Sequence, residues 1–214
     1  MYSEYNPQEL ELLRPILDSD ERVYWTGRPL LVPFLASGIP FLIFGLIWGA
    51  IDLFGFILPM QQFGGGIPTG FILPFFALHL FPFYGSILNL LRLLLIHRNT
   101  IYAYTNKRLV IRSGFLGIDF KTIDYDRIVN LEVNVNPLEK LFQVGSILVF
   151  TGEMVSTRHG QRPTSSRFSA IKNPYDVFKA IKTVSLDVKT DWNYPNAQRP
   201  DSNPGYQTRY DPRQ

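Results

Sequence analysis

Two apolar runs dominate the pattern of the chain. Leu31 to Ile51, "LVPFLASGIPFLIFGLIWGAI", holds 21 residues without a charge, and Phe71 to Leu91, "FILPFFALHLFPFYGSILNLL", repeats that length. As helices at 1.5 Å per residue each covers roughly 30 Å, the thickness of a bilayer's hydrocarbon core. The pattern predicts two transmembrane helices, about 31–51 and 71–91, joined by the helix-breaking "QQFGGGIPTG". Pro33, Pro40, Pro74 and Pro82 predict kinks, which helices in lipid tolerate when neighbours re-satisfy the freed carbonyls. A signal peptide is not expected, because the first run lacks a basic leader and is too long.

After Arg98 the period changes from helical to alternating. Thr100–Thr105 and Arg108–Ser113 read as two strands joined at Asn106-Lys107, and Leu116–Asp124 as a third. In "VNLEVNV", Val129, Leu131, Val133 and Val135 alternate with Asn130, Glu132 and Asn134, one face buried and one wet. Asn136-Pro137 opens a short helix as N-cap and first helical residue. "SILVFT" (146–151) and "RFSAI" (167–171) are further strands, separated by a polar loop over 152–166 that we expect to be mobile. Asn173-Pro174 opens a last helix whose apolar stripe is Val177, Phe178, Ile181 and Val184.

Charge divides the chain in the same way. Between Pro29 and Leu91 the only acidic, basic or His side chains are Asp52 and His79, while the part after Leu91 carries 18 Lys or Arg against 11 Asp or Glu. The first 29 residues are acidic, with six carboxylates against Arg14, Arg22 and Arg28. A formal net charge of +3 tolerates anionic lipid and falls short of a nucleic-acid footprint. With no cysteine, disulfides, thiolate nucleophiles and Cys-based metal sites are excluded, which fits a reducing compartment. Residues 187–214 hold four Pro, four acids, four bases and almost no aliphatic side chain, and are expected to be a disordered tail.

Arg28 precedes the first run, Arg92 and Arg98 close the second, and the connection from Gly55 to Gly70 has no Lys or Arg. The positive-inside rule then puts both termini in the cytoplasm of a protein integral to the inner membrane. Gly45 and Gly49 form a G-x-x-x-G pair that suits packing of the first helix on the second, with self-association as the alternative. His79, Ser86 and Asn89 share one side of the second helix, where hydrogen bonding between helices is favoured over a proton relay.

Two blocks resemble a known family. In "ERVYWTGRP", Glu21, Trp25, Gly27 and Pro29, and in "YTNKRLVIRSGFLG", Thr105, Arg108, Leu109 and Gly114, are similar to signatures of bacterial pleckstrin-homology-like membrane proteins of the YdbS-like family. Ile128, Leu141, Phe142, Gly145 and Asn173-Pro174 continue the likeness in order. The resemblance implies an α+β fold: a two-helix transmembrane hairpin followed by a PH-like antiparallel β-barrel or sandwich capped by a C-terminal helix. The organisation is then a cytoplasmic segment 1–29, a helical pair 30–98, a PH-like domain 99–186 and a tail 187–214. It brings no catalytic residue and no cofactor. Phosphoinositide-binding PH domains use basic residues in a long loop between the first two strands, and that loop is read here as Asn106-Lys107, too short to cradle a headgroup.

The favoured function is a non-enzymatic, membrane-anchored interaction or scaffold module that binds a protein partner or itself. Candidate lipid or partner contacts are Lys107, Arg108, Arg112, Arg158, Arg162 and Arg167, with weak affinity for anionic lipid headgroups. A transporter or channel subunit with the PH-like domain as regulator is the alternative. An enzyme is third, since no G-x-S-x-G, P-loop or H-E-x-x-H pattern occurs.

Overall fold

The computed structural model describes residues 5–62, 69–157 and 160–193. A short helix, α1 (Pro7–Leu13), starts at Asn6, whose side-chain oxygen accepts the Gln8 amide at 3.0 Å. Strand β1 (Val23–Gly27) follows. The chain then enters one helical course: α2 (Leu31–Leu35), a tight turn at Ala36–Gly38, α3 (Ile39–Asp52), a wide π turn at Leu53–Ile57, and α4 (Leu58–Gln62). It returns through α5 (Thr69–His79) and α6 (Phe81–Asn99).

Among the described residues, one helical course, Leu31–Met60, is long and apolar enough to cross a membrane. The second expected span, 71–91, is not one helix. It breaks at Leu80, whose φ of −75° and ψ of 4° leave the helical region, and Pro82 suits the first turn of α6, where a missing amide costs nothing. Helix α6 then continues past Leu91 through Arg92 and Arg98, so its last two turns are charged.

Four strands form an antiparallel sheet in the order β1-β2-β3-β4, with β2 (Ile101–Thr105), β3 (Arg108–Ser113) and β4 (Asp119–Asp124). The hairpin expected at Asn106-Lys107 is β2–β3, with Leu109 opposite Tyr104. Strand β1 departs from the expectation that residues 1–29 are a separate segment: Thr26 pairs with Ala103 and Gly27 with Tyr102. The helices therefore do not precede the sheet domain; they are inserted between its first and second strands. This also corrects the loop assignment. The connection between the first two strands is the whole helical excursion, and Asn106-Lys107 joins the second strand to the third.

Strand β2 shows why the domain needs its N-terminal segment. All five of its residues are buried. Tyr102 and Tyr104 belong to the main core with Phe168 and Ile181, while Ile101 and Ala103 join Leu13, Val23 and Val110 in a second cluster. A strand with one wet face alternates apolar and polar. "IYAYT" does not, because the segment around Leu13 covers the face that would be wet. Trp25 joins the main core from β1, stacked 6.0 Å from Tyr104 and 6.3 Å from Phe168.

A second antiparallel sheet has the order β5-β6-β7. It consists of β5 (Asn130–Asn134), then, after the short helix α7 (Pro137–Leu141), β6 (Val144–Thr157) and β7 (Gly160–Lys172). Helix α7 opens on a capping box, Asn136 accepting the Glu139 amide at 2.8 Å and Glu139 accepting the Asn136 amide at 3.0 Å. Leu131 and Val133 pack on the core as the alternation predicts, but Val129 is 72% exposed. The loop expected over 152–166 is a paired ribbon, with Val155 opposite Arg162 and Ser156 opposite Gln161. An irregularity between Phe150 and Met154, with Gly152 at φ +76°, marks where the ribbon leaves the core.

Helix α8 (Pro174–Asn193) closes the main core. It continues through residue 187, where a disordered tail is expected from composition, because Val188 is buried and Lys189 Nζ reaches the Ile128 carbonyl at 2.5 Å. The tail from 194 onward lies outside the described residues. Ile181 is fully buried, whereas Phe178 is only partly so. Ile181→Asp is therefore expected to unfold the sheet domain, at a cost of about 4 kcal/mol or more, and Phe178→Asp to cost about 1–3 kcal/mol. Near-UV circular dichroism melts of the two variants check this; equal losses would contradict it.

Candidate functional site

At the turn between β2 and β3, the acidic N-terminal segment grips the basic hairpin. Glu21, its side chain fully buried, receives Arg108 Nη2 at 2.7 Å, Arg108 Nε at 3.1 Å and the Thr105 hydroxyl at 2.7 Å. Arg108 Nη2 also donates to the Ile16 carbonyl at 3.0 Å. Lys107 lies 2.7 Å from Asp20 and 3.2 Å from Asp18, and the Arg22 amide donates to Asn106 Oδ1 at 2.7 Å. The hydrogen bond to Asp20 raises the Lys107 pKa, the same bond lowers that of Asp20, and Glu21 raises that of Arg108. Lys107 and Arg108, candidates for lipid contact, are thus paired within the fold.

The signs of these shifts set a pH window for the exposed Lys107–Asp20 pair. Lowering the Asp20 pKa adds stability present above its ordinary 3.8 and lost as pH falls through the folded value. Raising the Lys107 pKa adds stability present below its ordinary 10.5 and lost as pH rises through the folded value. Amide-exchange protection at Asp18–Arg22 is expected to be highest between these limits; constant protection from pH 3 to 11 would contradict the pairing.

The opposite end of β2 joins the sheet to the helices. Arg112 Nη1 donates to the Asn99 carbonyl at 2.8 Å, and Arg28 Nη1 to the Arg98 carbonyl at 2.9 Å, while Arg28 Nε pairs with Glu9 at 3.1 Å. Two guanidinium groups therefore satisfy the last carbonyls of α6, where the helix dipole is negative. Arg112 is buried, and desolvation, with Arg28 second, lowers its pKa. His97 Nε2 donates to the Pro29 carbonyl at 2.8 Å, the Leu30 amide to the Ala170 carbonyl at 2.9 Å, and Asn99 Nδ2 to the Gly114 carbonyl at 3.0 Å. Helices and both sheets are bonded together at this junction.

Residues 37–183 match the family described as "Bacterial PH domain". The chain belongs to that family. No curated protein matches it significantly. Among solved structures it is similar to a DUF1696 family protein with a pleckstrin-homology domain from Shewanella loihica, at 12% identity and a TM-score of 0.39, over 84% of this chain and 97% of that one.

The family match begins beyond β1, so the acidic grip and the first strand of this bacterial PH domain lie outside it. Arg162 and Arg167 are exposed on β7, while Arg158 lies outside the described residues. From Val144, whose partner Lys172 stands two residues past the Ala170 carbonyl that anchors Leu30, strand β6 runs roughly 40 Å to its tip at about 3.3 Å per residue. Arg162, near that tip, is remote from the helix junction. Among the described residues no group of three His, Cys, Asp or Glu is placed to hold a metal.

Helices α3 and α6 pack closely through glycine. A Cβ at Gly45 would lie 2.6 Å from the Pro82 carbonyl oxygen and overlap Ser86, and one at Gly49 would lie 2.7 Å from the Phe83 ring. Ser86 bonds back to the Phe83 carbonyl at 2.7 Å, and Asn89 is half-buried opposite Gly38. His79 Nδ1 lies 3.0 Å from Asp52 Oδ2 across the helices, and Trp48 Nε1 donates to the His79 carbonyl at 2.9 Å. Asp52 is fully buried and its Oδ1 has no partner among the described residues. Asp52 is not among the packing residues expected from the sequence; the signal that marks it is that it is the only acid between Pro29 and Leu91.

Proposed function

We propose that this protein crosses the cytoplasmic membrane twice and holds its PH-like domain at the inner leaflet as a non-enzymatic interaction module, in the manner of the YdbS-like proteins. The observation that carries the reading is the insertion of the apolar helices between two hydrogen-bonded strands. Gly27 and Ile101 belong to adjacent strands of one sheet, so both ends of the insert lie on one side of any membrane. The excursion crosses an even number of times: twice, or not at all. Two crossings suit its surface, since the most apolar stretch of Leu31–Met60 is 11% buried, with Ile47 and Phe54 facing outward. Exposed to water, such area is disfavoured by about 25 cal/mol per Å²; in lipid it is not.

Arg28, Arg92 and Arg98 lie at the sheet end of the helices and residues 55–70 carry no Lys or Arg, which supports a cytoplasmic sheet domain and cytoplasmic termini. PH-like domains are generally non-catalytic interaction modules, and the acidic grip on Lys107 and Arg108 leaves little basic surface there for a headgroup. The reading assigns Arg162 and Arg167, on the ribbon strand, to a protein partner or a second copy. Any contact with anionic lipid is weak.

A second reading, a transporter or channel subunit, is favoured by the pairing of buried Asp52 with half-buried His79 and the π turn beside it, a feature frequent at functional sites. Counting from Leu31 at 1.5 Å per residue, Asp52 lies roughly 30 Å along the helix, near the outer interface rather than the midplane. Cross-linking in native membranes separates the readings. A discrete heteromer or dimer supports the module, a ring of identical copies supports the pore subunit, and a monomer without partners contradicts both.

A further inference from the structure

The turn from β3 to β4, "GFLGI" (114–118), is apolar and exposed: Leu116 is 87% exposed, Ile118 53% and Phe115 41%. Such a run has no place in a solvated turn, which is ordinarily polar. None of these side chains is in either core cluster. Backbone geometry holds them out. Gly114 adopts φ +149°, and a Cβ there would collide with the Gly117 carbonyl, so the turn closes on itself and the side chains between them point outward.

Its place in the fold is the helix junction. Arg112 pairs with Ile101, the first residue after α6 and Thr100, so β3 ends beside the last turn of that helix. The Asn99 side chain bonds the Gly114 carbonyl at 3.0 Å, and the Asn99 carbonyl takes the Arg112 guanidinium at 2.8 Å. The turn is therefore mounted on α6, about one helical turn from the exposed Leu95. Exposed Arg98 and Lys121 flank it, with the exposed acid Asp119 at the start of β4.

We infer that the turn Gly114–Ile118 is a lipid wedge: Phe115, Leu116 and Ile118 enter the interfacial layer of the inner leaflet, with Arg98 and Lys121 at the level of the phosphates. The inference rests on the reading of the helices as spanning the membrane. Continuity with the exposed apolar side of α6 at Leu91 and Leu95 argues for lipid rather than a second protein as the occupant. The wedge fixes how the sheet domain stands on the bilayer, since the junction holds it at the helix ends and the turn adds a third point of contact.

The chain has no cysteine, so a single introduced thiol can be labelled uniquely. The test places an environment-sensitive fluorophore on Leu116→Cys, on Ile47→Cys in the apolar helix and on Glu153→Cys on the ribbon, in the full chain reconstituted into phosphatidylcholine–phosphatidylglycerol vesicles. The wedge requires blue-shifted emission at 116, quenched several-fold more strongly by shallowly brominated lipid than at 153. Emission typical of water at 116 with lipid-like emission at 47 would overturn the wedge and leave the membrane reading standing. Water-like emission at both 116 and 47 would overturn the membrane reading and the wedge with it. A blue shift at 116 that ignores brominated lipid and grows with protein density would assign the turn to a second copy and likewise overturn the wedge.

Discussion

Arg108→Met is expected to destabilise the sheet domain by about 3–5 kcal/mol and to release the N-terminal segment. The Glu21 carboxylate is fully buried and is held by the two-pronged Arg108 guanidinium and the Thr105 hydroxyl. Removing the cation leaves a buried charge with only two neutral donors, the Thr105 hydroxyl and the Asp18 amide, a change far costlier than the net worth of the pair. Glu21→Leu with Arg108→Met replaces the pair by apolar groups and is expected to recover most of the loss. Urea unfolding in detergent, followed by Trp25 fluorescence and by proteolysis within residues 14–22, measures both. If the double variant were as unstable as the single one, the ion pair would not be the cause.

Gly45→Ala is expected to weaken the helix pair by about 1–3 kcal/mol, the usual cost of overpacking. Its new Cβ meets the Pro82 carbonyl, a backbone atom that moves only if α6 moves. At Gly49 the obstacle is the Phe83 ring, which can rotate, so Gly49→Ala should lose less. Gly85 is the control: its nearest neighbours would be 3.8 Å away, and alanine there gains about 1 kcal/mol of helix propensity. The order Gly45 worst, Gly49 intermediate and Gly85 neutral or better is read from thermal midpoints in detergent. Equal losses at Gly45 and Gly85 would contradict the close contact of α3 and α6.

What the sequence made legible was local. The Asn106-Lys107 turn, the Asn136-Pro137 cap and the start of α8 each depend on residues a few positions apart, and each stands where the pattern places it. Strand β1 was not legible, because its partner β2 lies beyond the whole helical excursion and nothing in "VYWTG" announces that pairing. The ribbon over 152–166 was hidden for another reason: solvated on both faces, it has no period of two to detect. Of the candidate site residues, Lys107, Arg108 and Arg112 read as a basic edge until their partners are known. Those partners, Asp20, Glu21 and the Asn99 carbonyl, come from distant or backbone positions that charge counting cannot match to them.

The apolar helices interrupt the sheet between its first two strands. Thr26 and Ala103 are register partners in that pairing, and the chain offers no competing thiol. Thr26→Cys with Ala103→Cys, a protease site placed in the connection between α4 and α5, and a short thiol cross-linker applied in membranes together measure it. The structure requires that, after cleavage, the two fragments stay linked until the cross-link is reversed. Fragments that separate fully, while each thiol still reacts with a monofunctional reagent after unfolding, would contradict it.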